Sequence, residues 1–219
     1  TASIAHEIRN PLGAISHAGQ LLAESEQLPG EDRRFIEIIQ TQCQRINVII
    51  EDILRVSRRS DSGRERIELR SWLDHYLKSF LLQHQGEEGG EIFRAAYADT
   101  PLHARIDPNH LGQIMTNLCE NALRYGKPEL GGITIRAFML QDSPCIEVID
   151  NGSGISPQHL KNLFEPFFTT SPNGTGLGLY LSKELAELNQ AKLSYHLTDN
   201  QQGCFRLCVM NAEKNLIEI

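Results

Sequence analysis

Between Ser3 and Glu24, apolar side chains fall at Ile4, Ile8, Leu12, Ile15, Leu21 and Leu22, spacings near three and four that draw one apolar stripe along a helix. Leu28, Pro29 and Gly30 break that stripe, and acidic Glu31 and Asp32 suit the start of a second helix. Its own stripe runs through Phe35, Ile38, Ile39, Ile46, Ile49, Ile50, Ile53 and Leu54 to about Arg58. The pattern therefore predicts an antiparallel helical hairpin. Two amphipathic helices cannot enclose both stripes, and each fully buried Leu or Ile is worth about 1.5–3 kcal/mol. A second copy that completes a dimeric four-helix bundle is the expected solution. The alternative is that the hairpin packs on the remainder of its own chain.

Beyond Arg58 the pattern changes. The stretch Arg58 to Glu65 is polar and turn-rich, which divides the chain into 1–60 and 61–219. The second part predicts a strand around Ile67–Leu69, a helix over Ser71–Gln83, a loop at Gly86–Gly90, and strands at Ile92–Tyr97 and His103–Ile106. Asp107 and Pro108 open a helix over His110–Arg124, followed by strands at Ile133–Leu140 and Cys145–Ile149. Gly152–Gly174 reads as loop with a short helix at Pro157–Leu163. A helix over Gly176–Leu188 then leads to a closing hairpin, Lys192–Leu197 and Gly203–Val209. Strands and helices mix without strict alternation, so the fold class is α+β: a helical hairpin followed by an α/β sandwich with helices on one face of a mixed sheet.

Composition narrows the function. Over 219 residues the formal charge is −7, there is no basic run and aromatics make up 6%, so no nucleic-acid surface is expected. No apolar run is long enough to span a bilayer, and no signal peptide is visible. The chain opens at Thr1 inside a segment already helical, so it reads as the cytoplasmic fragment of something longer, tied to a membrane only through missing upstream segments. Cys43, Cys119, Cys145, Cys204 and Cys208 form no CxxC pair and no zinc spacing with histidine. Free thiols in a reducing compartment are expected, and the histidines other than His6 read as structural or exposed.

Chemistry concentrates first in AHEIRNPL, Ala5 to Leu12. On a helix His6 neighbours Asn10, and Glu7 reaches the same side, so an imidazole, a carboxylate and an amide share one face. Pro11 has no N–H to give and presses on the carbonyl of Glu7, which predicts a bend just past His6. A second group lies further on. NLCEN puts Asn117 and Asn121 one turn apart with Arg124 on the same side, and an amide oxygen suits a hard cation such as Mg²⁺. DNGSGI ends a strand at Asp150 and passes into Gly152 and Gly154. A carboxylate there can accept from an exocyclic amine such as that of adenine, while the glycines admit a flat ring. GTGLGL, with Gly174, Thr175, Gly176, Leu177 and Gly178, opens a helix whose free N–H groups suit a triphosphate. It is neither the dinucleotide fingerprint, since position 179 is Leu, nor a Walker A loop, since no GK[ST] follows. Between the glycine segments, LFEPFFTTSPN carries Phe164, Phe167 and Phe168 and reads as a lid.

In this order HEIRNPL, NLCENALRYG, DNGSGI, FEPFF and GTGLGL resemble the H box, N box, first glycine box, F box and second glycine box of sensor histidine kinases of two-component systems, with closer similarity to the nitrogen-regulation and pilus-regulation branch. The resemblance implies a homodimeric phosphotransfer hairpin and a Bergerat-type ATP-binding domain. It implies His6 as phosphoacceptor, Glu7 as its base, and Asn10 as the amide that aims water at a regulator's aspartyl phosphate. It further implies Asn121 as Mg²⁺ ligand, Asp150 as adenine acceptor, and a response regulator receiver domain as partner. Arg124 stands where many members carry Lys, and Ser171 where the lid often carries Lys. Two rivals remain at this level: an ATP-gated clamp of the same nucleotide-binding superfamily, and a non-catalytic dimeric scaffold.

Overall fold

The computed structural model describes residues 2–24, 30–57, 63–84, 92–126, 132–171 and 174–213. By proximity of its Cα atoms the chain divides into two compact units, Thr1–Arg59 with Glu165–Gly178, and Ser60–Phe164 with Leu179–Ile219.

In the first unit, α1 (Ala2–Ala23) runs unbroken through Pro11 and packs on α2 (Gly30–Ser57). The contact is close at Gly19, where a Cβ would stand 3.6 Å from Gln40 Cγ and 3.9 Å from Ile36 Cγ2. Leu12, Ile36, Cys43 and Ile50 are buried along this seam. The break expected at Leu28 and Pro29 lies outside the described residues, as does the loop expected at Gly86–Gly90.

The second unit holds β1 (Glu65–Glu68), α3 (Leu69–His84), β2 (Phe93–Tyr97), β3 (His103–Ile106), α4 (Pro108–Tyr125), β4 (Ile133–Leu140) and β5 (Ser143–Asp150). It continues with α5 (Pro157–Leu160), α6 (Gly178–Leu188), β6 (Lys192–Leu197), β7 (Gly203–Cys208) and β8 (Met210–Asn211). A five-stranded sheet runs β2-β4-β5-β7-β6, with β2 parallel to β4 and every other pairing antiparallel. Ile135, Ile146, Val148, Phe205 and Leu207 pack with Leu111, Ile114, Met115 and Leu118 of α4 and Leu185 of α6 in one core. That is the expected α+β sandwich.

Several expectations need correction. The sheet is not single: β1, β3 and β8 form a separate three-stranded sheet, and β8 was not foreseen because two residues carry no alternation. The short helix stops at Leu160 rather than Leu163. The helix expected from Gly176 starts at Gly178, because Gly176 has φ +71° and cannot be helical. Free thiols hold for Cys43, Cys119 and Cys204, but Cys145 and Cys208 form a disulfide. The β5–β7 register sets these two directly opposite each other with Cα atoms 4.1 Å apart, a pairing that 63 residues of separation conceal in the sequence.

Candidate nucleotide and phosphotransfer site

The local sequence explains how α4 is aimed. Asp107 is its buried N-cap, accepting from Asn109 N–H at 2.8 Å and His110 N–H at 3.4 Å, with Pro108 in the first turn where no donor is needed. The Asp107 N–H donates to Asn189 Oδ1 at 2.9 Å, and Asn189 donates to Leu185 O at 2.7 Å, which ties the start of α4 to the end of α6. Further along, Asn117 Nδ2 donates to Ser182 Oγ on α6 at 3.0 Å. Asn121 follows one turn later and is half-buried, while Arg124 is exposed.

The C-terminal end of α4 meets the end of β5. A Cβ on Gly126 would lie 3.5 Å from Asp150 Cβ, and one on Gly152 would collide with the Tyr125 carbonyl. Asp150 is the last residue of β5 and is buried, and its Oδ1 accepts from Gly152 N–H at 2.9 Å. Burial raises its carboxyl above the ordinary range, and the Gly152 hydrogen bond partly offsets that. Glycine is required around it. A Cβ on Gly152 would stand 2.8 Å from Asp150 Oδ1, and one on Gly203, its partner across β7, 3.1 Å from Oδ2. Gly154 has φ +69°, the left-handed conformation the turn needs. The result is a cradle of small residues around one buried carboxylate. Asn117, Asn121, Arg124, Asp150, Gly152 and Gly154 all belong to this second unit.

In the first unit lie Phe168 and the run Gly174, Thr175, Gly176, Leu177 and Gly178. Gly176 is held against the Phe167 backbone so closely that no side chain would fit, and Phe167 itself has φ +66° with its ring exposed. Thr175 Oγ1 accepts from Leu177 N–H at 3.3 Å, and Leu177 is buried. Phe168 is half-buried and its N–H donates to Glu165 O at 3.3 Å. His6 and Glu7 lie in the first turns of α1, their side chains outside the described residues, and Asn10 is exposed.

The histidines are not all inert. His196, Glu147 and Cys204 place ligand-type atoms within 4.8 Å of one another. Arg206 already occupies that group, with Nε donating to Glu147 Oε1 at 2.7 Å and Nη2 lying 3.0 Å from His196 Nε2. Burial, and then the Arg206 charge, lower the His196 pKa, while burial and Glu147 push the Cys204 thiol up to about 12. The group is an ion pair with a neutral imidazole at its side, and a metal would have to displace a guanidinium. Sequence spacing gave no hint of it, since the residues come from three strands.

Two family models match the chain: the His Kinase A phospho-acceptor domain over residues 1–62, and the histidine kinase-, DNA gyrase B- and HSP90-like ATPase over residues 106–213. The sensor protein kinase PilS of Pseudomonas aeruginosa is 43% identical over 98% of this chain and 41% of its own length. The sensor histidine kinase ZraS of Salmonella typhi is 31% identical over 94% of this chain and 44% of its own length. The chain thus spans about two fifths of the length of these relatives. Among solved structures, full-length ShkA in complex with AMPPNP superposes with TM-score 0.67 at 22% identity, over 96% of this chain and 46% of that one. The Acinetobacter baumannii histidine kinase AdeS superposes with TM-score 0.64 at 19% identity, over 94% of this chain and 98% of that one. The clamp rival accounts for the ATPase match but not for the hairpin. With a phospho-acceptor model on one side of the 60s and an ATPase model on the other, in the order of the five motifs, the chain belongs to the sensor histidine kinases of two-component systems and carries their phospho-acceptor and ATPase core.

Proposed function

We propose that this chain transfers the γ-phosphoryl group of ATP to His6 and then to an aspartate on a response regulator receiver domain. The observation that carries the nucleotide half is Asp150, a buried carboxylate at a strand end, flanked by Gly152, where a side chain would strike it, and by Gly203, where one would crowd it. Such a group is set to accept from the 6-amino group of adenine, and burial strengthens that hydrogen bond. Residues 1–60 form the dimerising phosphotransfer module and 61–219 the ATP-binding module. The full-length protein is read as a larger sensor of which this is the cytoplasmic part, and among the described residues no helix is long and apolar enough to cross a membrane.

The roles divide by chemistry. Asn121 would hold a Mg²⁺ ion through its amide oxygen, and the ion would supply charge neutralisation on the phosphates. Arg124 adds a cation towards the phosphates, and Asn117 supports the same helix face. The resemblance assigns the remaining phosphate contacts to Gly174, Thr175, Gly176, Leu177 and Gly178, with Phe168 holding the lid; here the Leu177 and Gly174 N–H groups donate to Thr175 Oγ1 and Ser171 O, bonds that a bound phosphate would replace. At His6 the uncharged imidazole is the nucleophile, since a free imidazole has pKa about 6.5. Its lone pair forms the N–P bond as the bond from phosphorus to the β–γ bridging oxygen breaks and ADP leaves, while Glu7 holds the proton on the other ring nitrogen. In the reverse-direction reaction, Asn10 orients the water that attacks a regulator's aspartyl phosphate, a positioning role that needs no titration.

Incubation with γ-labelled ATP and Mg²⁺ tests both halves. Label is expected on His6 and absent from His6→Gln, with ATP binding retained, because the phosphoacceptor and the adenine acceptor belong to different modules. Asn10→Ala is expected to keep autophosphorylation within a few-fold while losing regulator dephosphorylation. Equal labelling of His6→Gln would sink the assignment, and an unlabelled wild-type chain that still binds ATP would favour the scaffold.

A further inference from the structure

Tyr195 sits on β6, opposite Phe205 of β7, and its ring meets the Phe205 ring edge-on at 5.1 Å. Its hydroxyl, however, leaves the apolar core for the glycine turn that follows Asp150. Ile155 N–H donates to Tyr195 Oη at 3.0 Å, and a Cβ on Gly154 would stand 3.3 Å from the same oxygen. The same oxygen also lies close to Gly203. A Cβ there would lie 3.2 Å from Tyr195 Oη and 3.1 Å from Asp150 Oδ2, so phenol and carboxylate look onto the same hydrogen-sized gap. Register enforces this, because Gly203 pairs with Asp150 on one side and with Leu197 on the other. Burial raises the phenol pKa, the Ile155 hydrogen bond partly offsets that, and the Asp150 charge adds a smaller rise. Ile155 uses one lone pair of the oxygen, which leaves the hydroxyl its own proton to donate.

We propose that Tyr195 is a positioning residue of the nucleotide site: its hydroxyl pins the 152–155 turn through Ile155 and flanks Asp150 across Gly203, holding the carboxylate where it reads a 6-aminopurine. This rests on Asp150 being the adenine acceptor. The residue touches no reacting atom. Its contribution is to stop the carboxylate and the turn from relaxing when the pocket is empty, so that ordering is not charged against binding.

The test uses the 219-residue chain with Mg²⁺ and two nucleotides, ATP and ITP, in which oxygen replaces the 6-amino group. Tyr195→Phe keeps the ring against Phe205 and removes only the hydroxyl. The expected result is a rise in KM for ATP of about three- to tenfold, the size of one hydrogen bond. kcat should change little, and the ATP-over-ITP preference should shrink. A merely structural hydroxyl would weaken both nucleotides equally. Equal losses, or no loss, would overturn the proposal. Asp150→Asn is run in parallel. If it removes the ATP preference while Tyr195→Phe does not, the Tyr195 role alone fails. If Asp150→Asn keeps the preference, the adenine reading falls and the Tyr195 role falls with it.

Discussion

Ile114 and Leu22 both lie on amphipathic helices, yet Ile114 on α4 is 0% exposed and Leu22 on α1 is 53% exposed. The contrast extends to their neighbours. Leu73, Leu111, Met115 and Leu118 are enclosed by the sheet and its helices, whereas Ile15, Leu21, Phe35, Ile38, Ile39 and Ile46 on the hairpin remain exposed. An α/β sandwich can close around its own apolar residues because a sheet covers the helix stripes from one side. A pair of helices covers only one side of each stripe, and on this hairpin the other side stays exposed in the single chain. The sandwich thus encloses its own apolar residues, while the hairpin keeps a stripe exposed, the surface on which a second copy is expected.

The largest expected effects test that contrast directly. Ile114→Ala leaves a cavity inside a closed core and is expected to lower the unfolding free energy of the ATPase unit by about 2–5 kcal/mol, read from denaturant melts. Leu22→Ala removes a side chain that solvent already reaches in the single chain. Its effect should appear in dimer dissociation, weakened by about ten- to hundredfold, the equivalent of one buried aliphatic side chain. Sedimentation across a concentration series measures it. An unchanged dissociation constant would move the dimer seam away from this stripe.

Next comes Asp150, where the fold's preference for a protonated carboxyl and the proposed adenine contact pull in opposite directions. Its carboxyl is raised in the fold by burial. A raised acid binds its proton more tightly folded than unfolded, so its favourable contribution is present below the unfolded value and lost as pH rises through the folded one. Above that window the buried charge is a cost. Asp150→Asn is therefore expected to leave the nucleotide-free chain at least as stable at neutral pH and to flatten its stability in the carboxylate range. ATP affinity should fall by about ten- to hundredfold, as for loss of a hydrogen bond to a charged group. Calorimetry and thermal melts on one preparation decide the matter. Parallel loss of affinity and stability would make Asp150 a structural residue.

Much of this organisation was legible before any coordinates. Helical spacing placed both hairpin helices, and alternation placed β3 and β4 to the residue, because long periodic runs report their own geometry. What stayed hidden depends on register or on special backbone. Cys145 and Cys208 pair only because β5 and β7 align them, Asn117 finds Ser182 only because α4 and α6 are adjacent, and Gly176 delays its helix through a positive φ. That Asp150, Gly152 and Gly154 adjoin at a strand end was visible because one hexapeptide holds them. Tyr195 was not, since an aromatic on a strand reads as core until its hydroxyl is seen against a turn 40 residues away in sequence.

The smallest expected effect concerns Arg124. It is the basic residue in the last turn of α4 and its side chain is exposed. A cation there complements the helix C-terminus whether it is Arg or Lys, so Arg124→Lys should leave the melt of the ATPase unit unchanged. At a phosphate the two differ in geometry, since a guanidinium can donate two parallel hydrogen bonds where an ammonium acts as a point charge. Exposure weakens either contact by screening. The expected outcome is a KM for ATP within about threefold of the starting value, with a larger loss for Arg124→Ala that shrinks as salt is raised. If lysine instead falls as far as alanine, the planar fork itself is required. If neither variant changes KM at low salt, Arg124 faces solvent only, and the phosphate contacts belong to the lid and to the Gly174–Gly178 run.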